Sequence, residues 1–389
     1  MTRSAWLVAA SLFLAAPLAA QSPLGTTQPD QRPAAGSDES ELWYAMDQAE
    51  LELRQSPLLV RDPALNDYAR GVLCRVTAGH CPNLRLYIVD LPWFNASMAP
   101  NGAMILWTGS LLRIRNEAQL ALVLGHEFGH YRERHTLQQW RKTKKSSAFL
   151  GALGVLTSGA GMGVAGMAAN LAGMAGLMKF TRDKEREADR IGLAQLALGD
   201  YDAQAGVELW DSMLREEQAH DYGKPLPVFS THPRTQERRD DLQAATSALA
   251  RRGHFRGEAE YARATHPLLG HWLQNELTRR IYASSIVVID DARKAAAARD
   301  AGLYSFFLAE AYRRRDKPGD RQAAANLYSQ AVAEPGAPPE AWREVGLQLR
   351  DSGQRQQAAG ALRTYLQRSP EAADRAFIEA YLSELEPGP

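Results

Sequence analysis

The chain has 389 residues, 45% hydrophobic and 23% charged, which is enough apolar material for two packed domains and too much for a disordered protein. Lys plus Arg and Asp plus Glu number 45 each, so no global field draws the protein to nucleic acid, and no nucleic-acid partner is expected.

Residues 1–20 carry a positive charge at Arg3, an apolar run from Ala5 to Leu18, and Leu18-Ala19-Ala20 before Gln21. That is the pattern of a secretory signal peptide cleaved after Ala20; an uncleaved anchor would need a longer apolar run. Residues 21–40 are rich in Pro, Gly, Thr, Gln and Asp and read as a flexible linker. Helical spacing follows over 41–54 and 62–77, the second opened by Asp62-Pro63. In an exported protein, Cys74 and Cys81 are expected to form one disulfide; a metal site there would need more ligands than His80 supplies.

Two β-rich runs, 84–89 and 103–108, read as strands, and Pro100 gives the stretch between them the character of a sheet edge. Beside a metal site, such an edge accepts an extended peptide through main-chain hydrogen bonds; the alternative is an ordinary hairpin. Asn116 then Glu117 mark a helix start, and the helix they open is apolar up to His126-Glu127-Phe128-Gly129-His130. In H-E-x-x-H on a helix, both imidazoles project from one face and grip one Zn²⁺, while the glutamate deprotonates a metal-bound water. Three polar side chains at the end of an apolar rod need a ligand or strong partners to offset their desolvation.

The third ligand lies elsewhere. The metzincin pattern H-E-x-x-H-x-x-G-x-x-H fails, because Glu133 stands where its glycine belongs and His135 falls one residue short. A second helix, from Asp183 through Leu198, offers Glu185, Glu187 and Asp189. Glu185 and Asp189 share a face at i and i+4, whereas Glu187 lies about 200° round from Glu185. Glu185 is therefore the candidate ligand, and Asp189 the acceptor for a ligand histidine's N–H. Between the two helices, residues 146–178 hold no charge and are dominated by Gly, Ala and Met. Three readings stand: a lid over the site, a membrane-surface element, or a span.

A further helix is expected over 203–217, then Ser230-Thr231-His232-Pro233 opening another that runs to about 252. From about 269 the chain is Ala-rich and helical. Trp342, Gly346, Gly353, Ala358 and Pro370 fall at tetratricopeptide spacings, with Ala324 and Tyr328 thirty-four residues before Ala358 and Leu362. The fold class is accordingly α+β, mostly α: a metallopeptidase domain with a small sheet over 41–265 and a tetratricopeptide-like helical domain over 266–389.

These motifs resemble the gluzincin metallopeptidases that include HtpX and the CAAX prenyl endopeptidases, and within them the BepA-like periplasmic branch. The resemblance implies His126, His130 and Glu185 as ligands of one zinc ion per chain, Glu127 as general base, and Asp189 as the end of the second motif. It also implies that the stretch N-A-x-x-x-P-x-G and the strand after it hold substrate backbone, here Asn95, Ala96, Gly102, Ala103 and Met104. Its His-Pro motif with a following arginine falls on His232 and Arg238, expected to stabilise an oxyanion. For His232 the alternative is a resting-state zinc ligand, and for Arg238 a surface ion pair with Asp241. The function implied is zinc endoproteolysis in the bacterial periplasm, on misfolded or stalled envelope proteins, with the repeats meeting outer-membrane assembly machinery. The alternatives are a weakly proteolytic chaperone or scaffold and a membrane-embedded peptidase.

Overall fold

Ser37 accepts the backbone N–H of Ser40 and precedes Asp38, Glu39 and Glu41, so a capped, acid-led turn starts helix α1 (Asp38–Gln55). The computed structural model describes residues 26–28, 31–143, 180–220, 236–249 and 253–385. The expected signal peptide, the Gly/Ala-rich segment 146–178 and His232 lie outside them. Asp62 caps α2 (Pro63–Thr77) through the Leu65 N–H at 2.8 Å. A 3₁₀ turn (Ala78–Asn83) follows, and Cys74 is bonded to Cys81 across it.

The three strands are β1 (Arg85–Val89), β2 (Ala96–Met98) and β3 (Ala103–Trp107), in the order β1-β3-β2. β3 runs parallel to β1 and antiparallel to β2, so the wholly buried strand is central and β2 forms an edge. The chain then enters α3 (Thr108–Arg113) and α4 (Glu117–Arg132), which Asn116 caps by accepting the Gln119 N–H at 2.9 Å. Short α5 (His135–Thr143) follows, then α6 (Arg182–Leu198), α7 (Gln204–Gln218) and α8 (Gln236–Ser247). Helix α4 lies at the centre, against α2, α6, α7 and the β2 edge.

The rest is helical: α9 (Glu258–Thr278), α10 (Tyr282–Lys294), α11 (Ala301–Arg315), α12 (Asp320–Ala333), α13 (Pro339–Asp351), α14 (Arg355–Arg368) and α15 (Arg375–Leu385). Mostly helical architecture with one small sheet matches the expected class. Each of α11 to α15 packs on the next in sequence. Gly346 permits the approach of α13 to α14, since a Cβ there would meet Leu362 Cδ2 at 2.6 Å. Ala324 and Tyr328 on α12, and Ala358 and Leu362 on α14, are all buried. Among the described residues no helix is long and apolar enough to cross a membrane.

Two boundaries differ from expectation. The division between 265 and 266 falls inside α9, which is continuous, and one apolar core runs from α2 and α4 through Leu269, Trp272 and Leu273 to Phe306, Tyr328 and Ala341. An apolar repeat pattern beginning later in the chain carries no mark of that shared core. The linker 21–40 is also not wholly free: Thr27 donates its N–H to the Arg132 carbonyl (2.7 Å) and its hydroxyl to the Tyr131 carbonyl (3.1 Å). His80 Nε2 lies 3.1 Å from the Thr27 carbonyl. Thr27 thus bonds carbonyls in the last turn of α4, adding to the Arg134 N–H that the Tyr131 carbonyl also accepts.

Glu50 joins α1 to the sheet. Its carboxylate accepts Nε and Nη2 of Arg85 (2.6 Å each), the Tyr87 hydroxyl (2.6 Å), Nη2 of Arg54 (2.8 Å) and Nδ2 of Asn101 (3.0 Å). Burial alone raises this carboxyl, but the bonds from Arg85, Tyr87 and Arg54 outweigh it and lower it to about 2. A carboxylate held below its ordinary value stabilises the fold above that value and loses the effect as pH falls. Glu50→Gln is expected to cost on the order of 2 kcal/mol at pH 7. In urea unfolding that cost shrinks as pH falls from about 4.5 to about 2; a constant cost across this range contradicts the assignment.

Candidate metal centre

The apolar face of α4 carries Gly125 and Gly129 one turn apart, each followed directly by a histidine. Opposite them α6 presents Ala188 and Gly192. A Cβ on Gly129 would lie 3.0 Å from Ala188 Cα, and one on Gly125 3.3 Å from Gly192 Cα, so the two backbones touch where larger side chains would part them. This crossing delivers Glu185, one turn before Ala188, to His126 and His130. Glu185 Oε2 is 3.6 Å from His126 Nε2, and Oε1 is 3.5 Å from His130 Nε2, with the two Nε2 atoms 3.1 Å apart. One ligand atom from each residue lies within 4.8 Å of the others. Glu185 is fully buried, His130 and Glu127 nearly so.

The outward-facing atoms are held as well. His126 Nδ1 donates to Asp189 Oδ1 at 2.9 Å, which leaves the Nε2 lone pair turned inward. Arg238 grips Asp189 through Nε (2.9 Å) and Nη2 (2.8 Å) and reaches Glu185 with Nη1 (2.6 Å). Its guanidinium lies 4.7 Å from the Trp210 ring centre. Burial raises the Asp189 carboxyl, yet the Arg238 cation and the His126 bond hold it well below the usual carboxylate range. Phe180 stacks on His130 at 4.0 Å between ring centres. Burial, then Lys184, lowers the His135 imidazole to about 3, so it is neutral.

The donor set fits a divalent zinc ion: two imidazole nitrogens and one carboxylate, in a buried pocket with their supporting hydrogen bonds made. Zinc accepts such a mixed set without geometric preference from its d electrons, and an ion here offsets the cost of burying Glu185.

The other expected site residues are placed as follows. Arg238, expected at an oxyanion, is instead bound to the two carboxylates of the second motif. Its alternative partner Asp241 is taken by Arg186 Nε at 2.8 Å. Ala103 and Met104 do not offer backbone to a ligand, because β3 is paired along both edges (Arg85 and Leu86 on one side, Met98 on the other for Met104). Asn95 spends its N–H on Ser110 Oγ and its carbonyl on the Trp107 N–H, and Gly102 bonds to Ala99 and Arg85. Only Ala96 of the five lies on the outer strand. The bonds from Trp107 N–H to Asn95 and from Ala99 N–H to Ala103 set the phase of the ladder, so Ala96 and Met98 direct their main-chain groups outward. Met98 lies in the stretch that Pro100 marks as an edge, and it was not singled out because which alternate residues face outward is set by the register with β3. His135 was missed too, because only the left-handed turn at Arg134 brings it back to the site.

A pair of helices that delivers two histidines and a glutamate to one point, with a second glutamate buried beside them, is an arrangement that can hold a catalytic zinc ion with a general base next to it. Residues 60–246 match Peptidase family M48. It is similar to the beta-barrel assembly-enhancing protease of Escherichia coli (strain K12), 31% identical over 230 residues that make up 56% of this chain and 46% of that protein. The putative beta-barrel assembly-enhancing protease of Vibrio cholerae is 30% identical over 199 residues, 49% of this chain and 40% of that one. The mitochondrial metalloendopeptidase OMA1 of Schizosaccharomyces pombe is 31% identical over 154 residues, 39% and 44% of the two chains. The chain spans less than half the length of these relatives.

Arg238→Gln leaves Glu185 and Asp189 without their guanidinium, and breaking such a buried pair costs about 3–5 kcal/mol. A zinc ion bound at this site would compensate Glu185 in its place. The variant is therefore expected to lose more stability metal-free than zinc-loaded, read as a larger rise in melting temperature on adding zinc than in the wild type. Equal rises in the two proteins would contradict this role.

Proposed function

We propose that the chain is a zinc-dependent endopeptidase, the observation that carries it being the convergence of His126, His130 and Glu185 with Glu127 buried beside them on α4. These three residues would hold the ion. When bound, zinc supplies Lewis acidity that polarises a scissile carbonyl and makes water acidic near neutral pH. Glu127 takes the proton of the attacking water and passes it to the leaving amine nitrogen. Asp189 fixes His126, and Arg238 keeps the two buried carboxylates of α6 in place. His232, outside the described residues, is the candidate oxyanion donor or resting-state ligand.

Substrate backbone would lie along β2, adding a strand at Ala96 and Met98. This geometry reads main chain and tolerates many side chains, as cleavage of unfolded protein requires. The export signal expected over residues 1–20 supports the periplasm as the compartment. Misfolded or stalled envelope proteins are the candidate substrates, a reading supported by bacterial relatives named as proteases that enhance β-barrel assembly, and the stacked helices α11–α15 are the candidate contact with assembly machinery. Residues 146–178 connect α5 to α6, both beside the site, and so are the candidate for a lid or a membrane-surface contact.

Purified protein is expected to contain one zinc per chain and to cleave an unfolded protein such as reduced casein. Glu127→Gln should abolish cleavage, a loss of at least about 10³-fold, while retaining the zinc. Undiminished cleavage by that variant sinks the mechanism, as does a wild type that binds no metal.

A further inference from the structure

His135 lies five residues after His130, and on an unbroken helix it would point about 140° away from it. The helix does not continue. Glu133 caps α4, and Arg134 takes φ +56°, a left-handed conformation uncommon for a side chain other than glycine. α5 then starts at His135 and returns its ring to the metal centre, buried, with Nδ1 2.9 Å from Nδ1 of His130. On the far side of the ring, Nε2 is 3.2 Å from Glu187 Oε2. Glu187 is the acid of the second motif that helical spacing directs away from the ligands. Lys184 adds a bond from Nζ to the His135 carbonyl at 3.2 Å.

One proton arrangement satisfies all three groups. For His130 to turn an Nε2 lone pair toward Glu185 and His126, its Nδ1 must carry the hydrogen and donate it. Nδ1 of His135 must then accept, so its own hydrogen sits on Nε2 and goes to the Glu187 carboxylate. We propose that His135, oriented by Glu187, is a positioning residue that holds His130 in the tautomer and ring orientation required of a metal ligand. It does for His130 what Asp189 does for His126, with a neutral acceptor in place of a carboxylate. This inference rests on the metal-site reading above. The reverse polarity, His135 donating to His130, would place the hydrogen on His130 Nε2 and prevent ligation.

Zinc affinity of the full-length chain, measured by competition with a chromogenic chelator, tests this without reference to activity. His135→Phe keeps the ring volume and removes the acceptor, and is expected to weaken zinc binding about 10–100-fold. His135→Asn places Oδ1 where Nδ1 stood and should recover most of that loss, a rescue that a packing role would not produce. Glu187→Leu, at a position a quarter exposed, is expected to weaken zinc several-fold and carries the test if His135→Phe does not fold. Imidazole ¹⁵N shifts of the metal-free wild type should show His130 protonated at Nδ1. Wild-type affinity in both His135→Phe and Glu187→Leu overturns the proposal, as does His135→Asn losing as much as His135→Phe. A wild type that binds no zinc overturns the metal-site reading and this one with it, whereas a zinc-binding wild type with unaffected variants overturns this one alone.

Discussion

The close crossing of α4 and α6 is the constraint on which the site depends. Gly125 and Gly129 on one helix meet Ala188 and Gly192 on the other at distances where even a Cβ would press on the facing backbone. The histidines follow their glycines directly, and Glu185 and Asp189 flank Ala188, so the contact that packs the helices also sets the separation of the ligands. Each glycine in a helix interior costs roughly 0.5–1 kcal/mol relative to alanine. That cost is offset by the apolar burial of α4, whose Leu120, Ala121 and Leu124 are fully enclosed.

Around this crossing, each candidate ligand has an outer partner. His126 has Asp189, Glu185 has Arg238, and His130 faces His135. Asp189 and Arg238 are bound to each other, so two of the three supports form one unit spanning α6 and α8. Burying this many ionisable groups is unfavourable unless every charge is paired. The pairing present here leaves the inward atoms, two nitrogens and a carboxylate, as the ones whose electron pairs converge. Ligand positions fixed in advance lower the reorganisation that metal binding and catalysis require.

Much of this was legible in the residues. H-E-x-x-H, the i, i+4 relation of Glu185 to Asp189, the Asn116 and Asp62 caps and the helix and strand runs all depend on local periodicity, which short-range physics controls. What was illegible depends on non-local geometry. Nothing in Glu133-Arg134-His135 announces a left-handed turn, since arginine seldom adopts one, and so His135 read as a failed metzincin ligand. Ala103 and Met104, which the resemblance adds to the edge stretch, prove to lie on the strand paired along both sides, because pairing partners are set by tertiary contacts. Thr27 sits in a composition that reads as unstructured, yet it binds the end of α4. The continuity of α9 through the expected domain boundary reflects a shared core that a helical repeat pattern does not display.

The central claim is that α4 and α6 together build one metal site from three named side chains. Anomalous diffraction at the zinc edge from crystals of the zinc-loaded protein tests it most directly. The account predicts a single strong peak per chain, bonded at about 2.0–2.2 Å to Nε2 of His126, Nε2 of His130 and a carboxylate oxygen of Glu185. A peak ligated by other residues, or by the two histidines without Glu185, would contradict it.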